Sequence, residues 1–391
     1  MTIQTDEQQL QRTREFVRVH VAPDAARRLS ERHTSEDLHL AAGSAGLLGL
    51  QLPASVGGMG VSFACKAQVA AILAQADFGV AMSLINTHNV AEQLFRLAAP
   101  GFAQRYLPDL LAGRLSACTA LTEPSGGSDF AAIQTNAVAV PGGWRLNGAK
   151  TWITNAVHAD LFVVYAQTRV GAGAAGIAAF VVQAQRAGFK RAPGPAMGPV
   201  STIGTGGFEL QGYLCSEDEM LSPPGEAFKD ILGAINGART YVAAMCCGMV
   251  SEALQVTSTW GHARQAFGKS LHGHQGWRWC LADAAIDLEA AQLLVAQAAD
   301  LIDAGLDAQS ASAKAKVFAT RMAQKNLAAL MHAMGAEGLV ENYPFVRHLA
   351  SAQVAGFVDG STEMLLERIA KDFKVTASPQ GRATHEAKLK E

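Results

Sequence analysis

Charge and aromatic residues are both scarce in this chain. Asp, Glu, Lys and Arg together make up only 17% of it and Phe, Trp and Tyr 7%, whereas 49% is hydrophobic. No run of five Lys or Arg occurs and the formal net charge is −2, so the basic footprint that neutralises nucleic-acid phosphates is missing. No apolar run reaches the about 18 residues that cross a bilayer. The polar opening MTIQTDEQQLQR lacks the apolar core of a signal peptide. Neither nucleic acid nor membrane insertion is expected, and a cytoplasmic location follows as the default. The six cysteines (65, 118, 215, 246, 247 and 280) form no CxxC pair and no Cys/His spacing suited to a metal. Cys246 and Cys247 sit in an apolar stretch and read as small buried hydrophobes in a reducing compartment.

What is present is alanine and length. A chain of 391 residues exceeds one compact core, so two or three packed units are expected. Many alanines and few aromatics favour closely packed helices. Residues 1–114 carry helical texture: Thr34 stands where it can cap a first turn containing Asp37, and further helical runs cover about 64–98 and 101–113. Between 115 and 222 the texture changes to short β-branched and aromatic runs separated by turns. Val138 to Val140 leads into Pro141-Gly142-Gly143 and Trp144 to Leu146 returns, Asn147-Gly148 reads as a hairpin signal, and 161–165, 177–182 and 208–214 as strands. From 223 the 3.6-residue period returns, in a stripe from Leu281 to Ile302 and in runs over 239–267 and 314–334. The expected fold is α+β and mainly α. It comprises an N-terminal helical bundle (1–114), a central small antiparallel β domain (115–222), a C-terminal four-helix bundle (223–374) and a polar tail (375–391).

Four segments carry candidate chemistry. In Leu121-Thr122-Glu123-Pro124-Ser125-Gly126-Gly127-Ser128-Asp129, proline and glycine force a turn whose hydroxyls and backbone N–H groups offer donors. In Lys150-Thr151-Trp152-Ile153-Thr154-Asn155, a strand would put Trp152 and Thr154 on one face, a ring beside a hydroxyl, suited to a planar heterocycle. Arg264 to Lys269, with His274 and Gln275 following, sets an arginine at a helix end where it could meet a phosphate. In Phe357-Val358-Asp359-Gly360-Ser361-Thr362-Glu363, an acid precedes a glycine and a helix start. Each alone reads equally as ordinary structure: a turn, a buried strand tryptophan, a solvated helix end, a capping carboxylate. His272 and His274 form an HxH with no third ligand nearby, so no metal site is expected.

Together, and in this order, they resemble the acyl-CoA dehydrogenase family of flavoproteins over about residues 5–373. LTEPSGGSD followed by KTWITN is the most specific part, joined by Gly57-Gly58-Met59-Gly60, RQAFGKSLHGHQ and MHAMGAEG. The resemblance implies FAD. It places Leu121, Thr122, Gly127 and Ser128 around the flavin ring and the thioester, Trp152 on the isoalloxazine and Thr154 near its redox edge. Arg264, Phe267 and Gln275 would meet the FAD of a neighbouring subunit, implying a homodimer or homotetramer. His332, Gly335 and Ala336 would approach the same dinucleotide, with His332 standing where the family usually has Gln, and Ser361 and Glu363 would complete the site. Asp359 would take the α-proton of an acyl thioester while Cβ loses a hydride. Ser128, Asn236, Arg239, Val358 and Gly360 would contact substrate. The electron acceptor would be an electron-transfer flavoprotein or O₂.

This chain departs from the family at several further positions. The usual base is Glu, and Asp359 sets the carboxylate back by one carbon–carbon bond, about 1.5 Å. Ala238 occupies the alternative base position before Arg239. Asn236 replaces an acidic residue that helps hold CoA, which suggests a thioester on an acyl or peptidyl carrier protein. An Asp base also occurs in relatives that oxidise nitroalkanes, so an oxidase or monooxygenase is the alternative. The arginine expected seven residues after the acid is Leu366 here, with Arg368 two places later.

Overall fold

The computed structural model describes residues 2–31 and 33–373, and the tail at 375–391 lies outside the described residues. Helices come first: α1 (Thr2–Phe16), α2 (Glu36–Ser44), α3 (Phe63–Ala76), α4 (Phe78–Leu97) and α5 (Pro100–Leu111). The cap of α2 is Ser35, whose hydroxyl accepts the Leu38 amide at 3.3 Å. The expected cap, Thr34, instead pairs its hydroxyl with Ser83 at 2.8 Å. The run expected over 64–98 is broken in two by Asp77. Its extended backbone ends α3, and its carboxylate accepts the Gly79 and Val80 amides at 2.9 and 3.1 Å to start α4.

The sheet follows as β1 (Ala117–Ala120), β2 (Asn136–Val140), β3 (Gly143–Ile153), β4 (Leu161–Gln167), β5 (Ile177–Gln183), β6 (Phe189–Ala192), β7 (Gly206–Ser216) and β8 (Met220–Ser222). Its order is β6-β7-β3-β2-β4-β5-β8, with β1 beside β4. Neighbours run antiparallel except that β4 lies parallel to β1 and to one bridge of β2. No hairpin forms at Asn147-Gly148, whereas the turn read at 141–143 does. Val140 pairs with Gly143, so the chain reverses at Pro141-Gly142, where Gly142 takes φ +80°. Asn147 sits inside β3 at a register shift, its Oδ1 accepting the Gly212 amide at 2.7 Å. Strand alternation divides β4 between two cores. Leu161, Val163 and Tyr165 pack with Val90, Leu94 and Leu107 of α4 and α5. Phe162, Val164 and Ala166 pack with Phe180, Phe208 and Tyr213.

The chain ends in α6 (Ala227–Ala263), a short hairpin of β9 (Gln265–Ala266) and β10 (Lys269–Ser270), then α7 (Gln275–Asp303), α8 (Gln309–Ala333), α9 (Phe345–Phe357) and α10 (Thr362–Ala370). The helix expected to reach residue 267 stops at Ala263, because Arg264 is extended and Phe267 and Gly268 turn left-handed at φ +51° and +79°. The α7 stripe buries Ala284, Leu288, Ala291, Val295 and Ala298 as expected, and Cys246 and Cys247 are buried. A single core joins α3 and α4 to α6–α9. A Cβ on Gly248 would stand 2.1 Å from the Ala71 carbonyl oxygen, so α6 approaches α3 at a distance only glycine allows. The mainly α framework with its β domain thus locks the helix that carries Arg239 against the N-terminal helices. Among the described residues no helix is long and apolar enough to cross a membrane.

Candidate active site

Between α9 and α10 the backbone turns left-handed twice, at Asp359 (φ +53°) and Gly360 (φ +98°). For a residue with a Cβ that conformation costs on the order of 1–3 kcal/mol, so the surroundings must impose it. Two cations do so. Arg239 Nε on α6 donates to the Asp359 carbonyl at 3.2 Å, and Lys316 Nζ on α8 donates to the Gly360 carbonyl at 2.6 Å. Ser361 then caps α10, its hydroxyl accepting the Met364 amide at 3.4 Å. Because Ser361 is the cap, the Asp359 carboxylate is not. Among the described residues it makes no hydrogen bond or close ion pair.

Burial pushes the Asp359 carboxyl above the ordinary range, and the charges of Lys316 and Arg239 pull it back only in part. Lys316, 1% exposed, is itself brought down to about 8 by burial, with Asp359 opposing. Burial likewise lowers Arg239, and Arg368 adds to that, so the arginine displaced to position 368 still reaches the Arg239 neighbourhood from α10. Asn236 Oδ1 accepts from Arg239 Nη1 at 3.1 Å and from Ser312 Oγ at 3.5 Å. The structure therefore brings Asp359, Gly360, Arg239 and Asn236 together, with Val358 half-buried against the helical core. Lys316 escaped the sequence reading. Its signal was a charge at a position of α8 flanked by the buried Ala313, Ala315, Val317 and Thr320.

At the sheet, Lys150 Nζ donates to the Leu121 carbonyl at 2.9 Å and to Glu123 Oε1 at 2.8 Å, with both side chains sealed. Glu123 also accepts the Gln134 and Thr135 amides at 2.6 and 2.9 Å. Burial pushes its carboxyl up, but Lys150 and these donors outweigh it and hold the group below its ordinary value. The Thr151 amide reaches the Thr122 carbonyl at 3.0 Å, so the two motifs are stitched into one surface. A Cβ on Gly127 would lie 3.1 Å from Thr122 Cγ2, and Ser128 is exposed. The strand argument for Trp152 and Thr154 does not hold. Trp152 takes φ +57° at the irregular end of β3, and Thr154 lies beyond the strand. That irregularity turns the indole outward, 62% exposed.

Phe267 tips the β9–β10 hairpin, 98% exposed. The Arg264 carbonyl accepts the Leu271 amide at 2.9 Å beside it, and Gln275 opens α7. His332, Gly335 and Ala336 are exposed at the end of α8, with Gly335 at φ +66°. Among the described residues no hydrogen bond links this group to the Asp359 turn. The donor set suits FAD. Two aromatic rings stand open at left-handed turns, and backbone at Gly126, Gly268 and Gly335 has nothing within 4 Å of where a Cβ would be. Flat rings can lie on the first, and phosphates can approach the second.

Fold and site together present open aromatic rings that suit a flat cofactor and a half-buried, unpaired carboxylate on the turn before α10. Comparison with known proteins identifies the family. The N-terminal, middle and C-terminal domains of acyl-CoA dehydrogenase match residues 4–114, 118–212 and 225–373. The chain is 30% identical over 371 residues to an acyl-CoA dehydrogenase of Bacillus subtilis, covering 92% of this chain and 96% of that protein. It is 30% identical over 327 residues to the mitochondrial short/branched chain specific acyl-CoA dehydrogenase of Rattus norvegicus, covering 83% and 76%. The solved structure of butyryl-CoA dehydrogenase from Megasphaera elsdenii superimposes with a TM-score of 0.90 at 28% identity, over 95% of this chain and 98% of that one. The chain belongs to the acyl-CoA dehydrogenase family, FAD-dependent oxidoreductases that act on CH–CH bonds.

Proposed function

We propose that this protein oxidises the Cα–Cβ bond of an acyl thioester, with Asp359 removing the α-proton. The observation that carries the proposal is the Asp359 carboxylate, half-buried and unpaired on a turn that Arg239 and Lys316 hold from two helices. A thioester α-proton is weakly acidic, and a carboxyl raised above its ordinary range is a stronger base for it than an ordinary one. FAD, when bound, supplies the two-electron acceptor. Leu121, Thr122, Gly127, Ser128, Trp152, Thr154, Ser361 and Glu363 would hold it from this chain. Arg264, Phe267, Gln275, His332, Gly335 and Ala336 would hold that of a second copy. Trp279, Ile286 and Leu293, 61–66% exposed at seven-residue intervals on α7, support such self-association. The test is anaerobic flavin reduction. Asp359→Asn should keep FAD and lose about 10²–10⁴-fold in rate. An unchanged rate removes Asp359 from the mechanism.

The carrier is proposed to be a phosphopantetheine arm on a carrier protein rather than CoA. Asn236 is neutral where the family has an acid, and its amide oxygen accepts from Arg239 and Ser312. Equal or better turnover of the CoA ester would refute this.

A further inference from the structure

Two residues after Arg239, α6 carries Tyr241, where the Asp359 neighbourhood meets a polar cluster. Asn89 Nδ2 on α4 donates to the Tyr241 hydroxyl at 3.1 Å. Lys66 on α3, only 3% exposed, has its ammonium 5.8 Å from the centre of the Tyr241 ring and 5.7 Å from that of Phe63. It donates to Gln51 Oε1 at 2.8 Å and to Glu92 Oε2 at 3.5 Å. Glu92 Oε1 lies 3.8 Å from Arg96. Over residues 78–91 of α4 only Asn86 and Asn89 are not fully buried, and Gln93 continues their spacing. Gln93 Oε1 and His88 Nε2, both acceptors because His88 Nδ1 donates to the Leu48 carbonyl at 3.3 Å, make no hydrogen bond among the described residues, and His88 Nε2 stands 4.0 Å from Glu92 Oε2. A pocket for a plain hydrocarbon chain gains nothing from such a lining, because every buried polar atom left unpaired costs free energy.

At Tyr241 and Lys66 the surplus is of donors. Tyr241 accepts from Asn89 and keeps its own proton to give. Burial, then the charge of Asp359, hold that phenol protonated. Lys66 has three N–H groups and two acceptors, one of them distant. We propose that this cluster recognises a hydrogen-bond-accepting oxygen on the acyl chain beyond Cβ, so that the substrate is a polar-headed thioester and not a simple alkyl one. The proposal rests on Asp359 being the base, since that puts the acyl chain beside Tyr241. A site built to bond an oxygen rejects the isostere lacking it, because its own buried donors are then stranded.

The test uses the FAD-loaded protein and length-matched thioesters ending in methyl, hydroxyl or carboxylate, each offered as the CoA and the pantetheine ester, with flavin reduction followed anaerobically. An oxygen-bearing ester should exceed the methyl ester by about tenfold or more in kcat/KM, and the two oxygen arms show which head is read. Tyr241→Phe and Asn89→Leu should bring the favoured ester down to the methyl rate. Tyr241→Phe removes a single oxygen and keeps the ring, so it decides the matter even if Asn89→Leu fails to fold. A methyl ester that reduces the flavin as fast as the others overturns the proposal and leaves Asp359 as base. Silence from every ester overturns both.

Discussion

Lys150 at the mouth of the sheet and Lys316 behind the Asp359 turn have much in common. They are 2% and 1% exposed, and each donates to a backbone carbonyl in a candidate site segment, Leu121 at 2.9 Å and Gly360 at 2.6 Å. Burial brings both ammonium groups down to about 8. They differ in their carboxylate. Lys150 has Glu123 at 2.8 Å, a group further satisfied by two amides. Lys316 makes no close ion pair among the described residues, and the carboxylate whose charge it feels is Asp359. A buried charge that is fully paired fixes geometry, whereas one left beside an unpaired carboxylate sets how readily that carboxylate holds a proton.

The widest way to break this contrast is at the paired lysine. Lys150→Met strands Glu123, and removing one partner of a buried pair costs about 3–5 kcal/mol. Denaturant unfolding should show that loss, because Glu123 and Lys150 tie the 121–129 turn to β3. A loss below about 1 kcal/mol would mean that the pair does not hold the motif. Lys316→Met should act on chemistry instead. The base works unprotonated, and Lys316 lowers the pKa of Asp359, so its removal raises that pKa and moves the acid limb of the flavin-reduction rate to higher pH. The expected cost is about tenfold at the acid end, shrinking as pH rises above the limb. A uniform loss at every pH would reduce Lys316 to a mechanical support.

Both lysines show why the sequence disclosed more of the scaffold than of the site. Helical stripes such as Ala284 to Ala298 follow from period, and the strands β4 and β5, buried on both faces, from β-branched and aromatic runs bounded by turns. Boundaries failed where a side-chain hydrogen bond competed: Asp77 cutting one helix into two, Ser35 taking the cap from Thr34, Asn147 bonding Gly212 instead of turning. In the site, the motifs announced Asp359, Trp152 and Leu121, but not what holds them. The left-handed backbone at Trp152 and Asp359 has no glycine to signal it. It is imposed by tertiary contacts, and the lysine behind Asp359 is 43 residues away in the chain. A charged residue inside an apolar helical stripe, as at Lys66 and Lys316, was the readable sign.

The finest test separates the charge of Lys316 from the stiffness it gives the turn. Ser361 belongs to the same turn but acts without charge, its hydroxyl closing the first turn of α10 through the Met364 amide at 3.4 Å. Ser361→Ala should cost about 1 kcal/mol of stability, the ordinary value of an N-cap, and weaken FAD retention if the hydroxyl also serves the cofactor. With FAD saturating, the acid limb should stay where it is, because no charge near Asp359 has changed. Rapid-mixing measurements of flavin reduction across pH would compare the two variants directly. If Ser361→Ala shifts the limb as far as Lys316→Met does, then loosening the turn is enough to retune Asp359. The ammonium would then owe its place to geometry, as Lys150 does, and the distinction between the two lysines would fail.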